Sequence, residues 1–329
     1  MSIDKHLINI VKKIEHTIKD IDPGLKNMIE YQIYDSGQTK INKINLELNH
    51  HEISSSLILI SDDINDNNYS KIITGLSALF LFKSGIIVHD EIGSGTPNSN
   101  GRDTLWWKWG PAQAINAGDC LYSLSRLLII NDDNLEANQT LDVLKKFDNL
   151  NKNIFKSKFL ELQDSEQYKI DFDTTENIYK LKEIESYNFI SGLFDNDENI
   201  CKILNLLGEI NLYKMHERAF KNLLSKDINY QYTKLENEIL NKKKVLPIAY
   251  VFNEYKNELE YEKKMGTIYM KRMLEHEDIK FLHKTFYSTD VVKKYNKHVE
   301  NLKDEINKII NSINQQENNL TINLDLLLQ

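Results

Sequence analysis

The sequence predicts an all-α protein, and three observations carry that expectation. Gly 12 and Pro 4 are few for 329 residues, so long stretches are free of helix breakers. Apolar residues recur at steps of three and four through most of the chain. Alternation of the strand type is confined to Ile44, Leu46 and Leu48, within a polar stretch over 38–50 that reads as irregular or as a weak strand.

Ile3, Leu7, Ile10, Ile14, Ile18 and Ile21 predict a first amphipathic helix, and Asp22-Pro23-Gly24 stops it. A short helix over 25–34 follows. Apolar helical segments are then expected over 53–61, 72–89, 112–130, 135–159, 178–193, 200–224 and 246–262, separated by connections rich in Asn, Asp, Ser and Gly. The last segment is the most regular: Val292, Tyr295, Val299, Leu302, Ile306, Ile309 and Ile313 alternate steps of three and four. Such a stripe either forms a seam to a partner subunit or packs on its own domain.

No Pro/Gly/Ser-rich linker divides the chain, so residues 1–329 are expected to form a single domain. A formal charge of −8, with no basic run interleaved with aromatics, argues against nucleic acid as a partner. Cys120 and Cys201 are the two cysteines and lie far apart, which fits a reducing compartment and a cytoplasmic location. The most apolar run, 76–88, is interrupted by Lys83 and is too short to span a bilayer.

Between positions 89 and 119 the chain carries His89-Asp90-Glu91-Ile92-Gly93-Ser94, then Gly101-Arg102-Asp103-Thr104 leading to Trp109-Gly110, then Ala114-Ile115-Asn116-Ala117-Gly118-Asp119. In order and spacing this resembles the trans-prenyl diphosphate synthases. There an apolar helix ends in His-Asp-Asp-x-x-Asp, a Gly-x-x-Thr loop leads to Trp-Gly, and an Ala-Ile-x-x-Gly-Asp helix follows. Glu161-Leu162-Gln163-Asp164-Ser165-Glu166 resembles the family's Glu-Gly-Gln-x-x-Asp helix, and Asn241 to Pro247 its Gly-Lys-x-Thr-x-Pro segment, with Lys243 on the family's lysine. The resemblance implies an isoprenoid-synthase bundle of antiparallel helices around a central cavity, acting on an allylic prenyl diphosphate with Mg²⁺. It further implies Asp90 and Glu91 as metal ligands and catalytic groups, Lys243 and Gln163 as substrate-binding residues, and a homodimer or heterodimer.

That chemistry must hold a diphosphate of about three negative charges in an apolar cavity, which needs metal and several cationic partners. Ser94 stands where the family's distal Asp would be. The second Asp-rich motif falls either on 219–223, without a ligand, or on 226–230, where Asp227 is the remaining carboxylate. The family's Gly-Lys-x-x-Arg matches His50-His51-Glu52-Ile53-Ser54, its Arg-Arg pair matches Ser99-Asn100, and its Lys-Thr pair matches Glu185-Ser186. Two readings follow: a diverged Mg²⁺-dependent prenyltransferase or terpene-synthase-like enzyme, or a catalytically silent subunit or isoprenoid-binding module of the same fold.

Other groups carry competing readings. Asp62-Asp63-Ile64-Asn65-Asp66 is a literal Asp-Asp-x-x-Asp, but lies among turn-forming residues. His216-Glu217, with Glu166 and Glu185, are candidate ligands opposite Asp90, or simply polar neighbours. Trp106, Trp107 and Trp109 either line an apolar channel or belong to core or interface.

Overall fold

The computed structural model describes residues 3–34, 51–60, 66–99, 101–167, 171–195, 197–224 and 233–316. Among these, every long element is a helix, and the one sheet is a two-stranded ribbon pairing Asn98 with Asp103 and Ser99 with Arg102. The chain divides into two compact units. The first comprises 1–151, 186–205 and 309–329, and the second 152–185 and 206–308.

In the first unit α1 (Ile3–Thr17) stops four residues short of Ile21. Asp22-Pro23-Gly24 acts less as a terminator than as a start signal. The Asp22 carboxylate accepts the amides of Gly24 (2.8 Å) and Leu25 (3.2 Å), and Pro23 opens α2 (Pro23–Ile33), where a missing N–H costs nothing. After α3 (His51–Ile58) comes α4 (Asp66–Ser94), 29 residues long and so longer than the apolar run suggested. By length and composition its stretch 68–94 could cross a membrane, but 83% of the most apolar window is buried inside the protein. It is therefore apolar all round because it is covered all round, as Leu76, Ala78, Leu79, Leu81 and Phe82 show. Lys83, the break in the run, pairs with the buried Glu52 of α3 at 2.7 Å.

The strands β1 (Asn98–Ser99) and β2 (Arg102–Asp103) and the short α5 (Leu105–Trp109) lead into α6 (Pro111–Ile130). α4 and α6 meet through glycine. A Cβ on Gly85 would sit 2.7 Å from the Tyr122 ring and 3.0 Å from the Gly118 carbonyl, so the two backbones approach where neither carries a side chain. α7 (Ala137–Glu166) begins in the first unit and ends in the second.

The segment 178–193, expected as one helix, is three pieces: α8 (Phe172–Tyr179), a π-helical turn over Lys180–Ile184, and α9 (Glu185–Ser191). The stretch 246–262 likewise breaks into α12 (Leu246–Tyr255) and α13 (Leu259–Met270). Between α10 (Glu198–Asn222) and α12 lies α11 (Lys234–Leu240), opened by a Thr233/Glu236 capping box. α14 (His276–Ser288) precedes the terminal α15 (Asp290–Gln316).

The stripe on α15 is buried by its own chain, which overturns the partner-seam alternative. Its covered positions are Val291, Tyr295, Val299, Leu302, Ile306, Ile310 and Ile313, so Val291 and Ile310 replace the expected Val292 and Ile309. In the second unit this helix seats an aromatic core. The Tyr295 ring lies 4.9 Å from Tyr213, 5.1 Å from Tyr250 and 5.4 Å from Phe286, and its hydroxyl donates to the Tyr213 carbonyl at 2.6 Å. Each such fully buried side chain contributes about 1.5–3 kcal/mol.

Candidate functional site

The family-like residues fall in both units. In the first, His89, Asp90 and Glu91 occupy the end of α4. The His89 ring stacks on Tyr122 (5.3 Å, 21°) and its Nε2 lies 3.2 Å from an Asp119 carboxylate oxygen. Gly118 makes this possible, since a Cβ there would lie 2.4 Å from the imidazole. Gly118 thus has a local cause: it admits the histidine, beside whose Nε2 an Asp119 carboxylate oxygen lies. Burial first, then the charges of Asp90 and Asp119, push the Tyr122 hydroxyl well above its ordinary range, so it stays protonated.

Ser94 ends α4. Its hydroxyl meets Thr96 Oγ1 at 2.7 Å, and the Thr96 amide donates to the Glu91 carbonyl at 3.1 Å. Thr104 and Trp106 close the next loop by donating to the Thr96 carbonyl at 3.0 and 2.8 Å. Arg102 forks onto the carbonyls of Tyr31 (2.5 Å), Tyr34 (3.0 Å) and Gln32 (3.1 Å), capping the end of α2. The Trp109 ring meets Tyr31 edge-on at 5.0 Å, whereas Trp107 is exposed. Trp106 and Trp109 therefore brace the loop. His51 Nδ1 lies 2.8 Å from the Tyr187 hydroxyl.

Adjacent residues on a helix point about 100° apart, so Asp90 and Glu91 cannot both face one ion. Glu91 is buried, and the residue one turn beyond Asp90 is an alcohol, Ser94. This donor set does not fit a carboxylate-bridged Mg²⁺ cluster. Among the described residues no group of three or more His, Cys, Asp and Glu side chains is placed to hold a metal ion.

In the second unit, the end of α7, α8, the π turn and the 241–245 loop build a polar cluster. Glu161 takes Lys243 at 2.5 Å on one oxygen and Lys182 at 3.0 Å on the other. Lys243 also pairs with Glu238 of α11. Lys244, almost wholly buried, reaches the side chain of Asp164 at 3.2 Å and also its backbone carbonyl. The Tyr179 hydroxyl donates to the Lys244 carbonyl at 2.6 Å. Lys242 holds a positive φ of 72° just before these lysines, which turns the chain out of α11.

The electrostatics follow from the pairing. Burial alone would raise Glu161, but Lys182 and Lys243 bring it down to about 2. Burial would lower Lys243, yet Glu238 and Glu161 hold it well above its ordinary range. Burial and the Lys243 charge oppose the ammonium of Lys182, and Glu161, Glu238 and Glu183 overcome both. In the neighbouring pair burial prevails: Asp164 is raised and Lys244 lowered despite their contact. The cleft among Glu161, Asp164, Tyr179, Lys243 and Lys244 has room for about 10 Å³, roughly one water.

The remaining candidates are placed as follows. Gln163 and Glu166 are exposed on α7, and it is Glu161 and Asp164, three residues apart, that turn to the lysines. Glu185 accepts from Asn153 at 2.9 Å. His216 is buried, accepts the Leu246 amide on Nδ1 at 3.3 Å and meets the Tyr179 ring edge-on at 4.3 Å. Burial first, then the Lys243 and Lys182 charges, keep its imidazole neutral. Asp62, Asp63 and Asp227 lie outside the described residues. Glu238 went unnoticed in the sequence, although its place five residues before Lys243, inside a capped helix, was a usable signal.

No family model and no curated protein matches the chain. Solved structures do. Octaprenyl pyrophosphate synthase from Helicobacter pylori superposes with a TM-score of 0.71 at 14% identity, covering 100% of both chains. Geranylgeranyl pyrophosphate synthetase from Geoglobus acetivorans gives 0.68 at 19% identity over 99% of both. A polyprenyl synthase from Caulobacter crescentus, complexed with calcium and isoprenyl diphosphate, gives 0.62 at 13% identity over 93% of this chain and 92% of that one. At such identities the likeness establishes the fold: the all-α bundle expected from the motifs is the one found.

Proposed function

We propose that this chain, folded as the prenyl diphosphate synthases are, is a catalytically silent subunit that handles an isoprenoid in a hetero-oligomer and does not ionise a diphosphate at Lys243. The observation that carries the reading is the pairing of Lys243 with both Glu161 and Glu238. Drawing a diphosphate off an allylic carbon needs positive charge placed where negative charge develops. Among the described residues, Lys182, Lys243 and Lys244 face Glu161, Glu238 and Asp164. A diphosphate would have to displace both Glu161 and Glu238 from Lys243, breaking two ion pairs in a largely buried cluster, which is unfavourable.

The ligand class is supported by the fold and by the isoprenyl diphosphate held in the Caulobacter crescentus relative. The cysteines Cys120 and Cys201 are both free, in keeping with work in the cytoplasm. The test is a radiolabelled assay with isopentenyl and allylic diphosphates and Mg²⁺. The protein alone is expected to give no elongated product; robust elongation overturns the reading.

A second reading, a metal-dependent prenyltransferase or terpene-synthase-like enzyme acting on an allylic prenyl diphosphate, is favoured by one observation: His89-Asp90-Glu91 remains intact on a helix end braced by Gly118 and Asp119. It would need ligands beyond that pair, Asp227 among them. Under it, Mg²⁺-dependent diphosphate release is abolished by Asp90→Ala and hardly changed by Asp63→Ala.

A further inference from the structure

Met270 closes α13 and is the most exposed large apolar side chain among the described residues, 81% accessible, and Met273 just beyond it is 51% accessible. The same helix buries Met265, Ile268 and Tyr269 on its other side, so the methionines project from a fixed base. The turn that carries them is pinned. The Lys271 amide donates to the Ile268 carbonyl at 3.2 Å, and that of the buried Leu274 to the Leu240 carbonyl at 2.9 Å.

Positive charge gathers at the same end of α13. Lys263 and Lys264 stand about two turns before Met270, Arg272 lies between the methionines, and Lys242 brings its Nζ to 3.5 Å from the Tyr269 carbonyl. Among the described residues no carboxylate pairs with any of these four, although the chain carries a formal charge of −8. Lys264 lies over the Phe281 ring, 5.5 Å from its centroid. The nearby acids are either taken or remote. Lys271 holds Glu275 and Asp278, each at 2.7 Å, and Lys280 holds Glu277 at 2.8 Å. Glu258, Glu260 and Glu262 sit at the opposite end of the helix. At 1.5 Å per residue the nearest, Glu262, is about 12 Å from Met270, beyond the ~8 Å over which exposed charges act at physiological salt.

We propose that the turn after α13 docks on an anionic phospholipid surface, with Met270 and Met273 inserting below the headgroups and Lys242, Lys263 and Arg272 contacting their phosphates. Projecting apolar side chains ringed by cations suit both layers of such a surface, the acyl boundary and the charged headgroups. A nucleic acid would engage the cations alone and leave both methionines in water. The docking holds whether or not Lys243 takes a diphosphate.

The experiment is co-sedimentation of the full chain with vesicles of equal parts phosphatidylserine and phosphatidylcholine, beside vesicles of phosphatidylcholine alone. The native protein is expected to bind the mixed vesicles roughly tenfold or more tightly than the neutral ones, and to come off as salt rises. Met270→Ser with Met273→Ser should weaken binding roughly tenfold by removing insertion, and Lys263→Gln with Arg272→Gln by a similar factor through lost charge. Leu259→Ser, at the acidic end of the same helix, should change nothing. All five positions are exposed, so unchanged thermal melting of each variant shows that the fold is kept. No binding by the native protein, or a loss in Leu259→Ser as large as in the methionine pair, overturns the proposal. Binding that the methionine pair does not weaken also overturns it, and equal retention on duplex DNA would then identify a general polyanion surface.

Discussion

The imidazole of His89 fills the space that a side chain on Gly118 would take, 2.4 Å from where its Cβ would stand. The end of α4 is therefore fixed by contact with the backbone of α6, and the Tyr122 ring stacked on the imidazole sets its plane.

Gly118→Ala should accordingly cost about 1–3 kcal/mol, because the added methyl meets a stacked ring with a half-buried tyrosine behind it. Thermal melting checks this. His89→Ala in the same background should recover part of the loss, and additive losses would show that the two residues do not share a contact.

Glu161 gives the second unit a pH dependence of definite sign. Its folded value of about 2 lies below the ordinary 4.5, so the pairing stabilises fully above that range and is lost as pH falls from 4.5 toward 2. The contribution is on the order of 3 kcal/mol. Urea midpoints at about pH 6 and about pH 3 should differ less in Glu161→Gln than in the native chain. An unchanged difference would locate the acid sensitivity elsewhere.

Arg102 ties the loop after α4 to the last carbonyls of α2 by three hydrogen bonds. Arg102→Ala should lower stability by about 2 kcal/mol, read as a fall in melting temperature. Arg102→Lys should recover little, since an ammonium cannot fork over three carbonyls. Full recovery by lysine would mean that charge, rather than the fork, matters.

Tyr295→Phe removes the buried hydroxyl that serves the Tyr213 carbonyl. A loss of about 1–2 kcal/mol in chemical denaturation is expected, with the ring packing kept. A neutral outcome would show that the carbonyl finds another donor.

The helices were legible wherever isoleucine and leucine recur with helical period, as in α1, α6 and α10. Two helices opened by capping boxes were missed: α11 begins at Thr233/Glu236, and α14 at Glu275/Asp278 with only a short stripe of Ile279, Leu282 and Phe286 behind it. The π turn left no periodic trace, because one extra residue per turn displaces a face without removing it. That Asp90 lies near a helix end and Lys243 in the turn before a proline-opened helix could be read from motif spacing. Their surroundings could not, because whether a lysine is available depends on carboxylates such as Glu161, 82 positions away along the chain. The same limit hid the reason for Gly118, which lies in a ring 29 residues upstream.

The covered positions of α15 advance by four, four and three, then by four, four and three again. This is a hendecad, eleven residues to three turns, and it winds slightly opposite to the seven-residue repeat that the sequence suggested. A helix so patterned keeps its apolar line nearly parallel to its own axis and has no tendency to coil left-handedly around a twin. Any association of this chain with another must therefore be made by surfaces other than the stripe of its most regular helix, and truncation within 291–313 should be felt as unfolding rather than as dissociation.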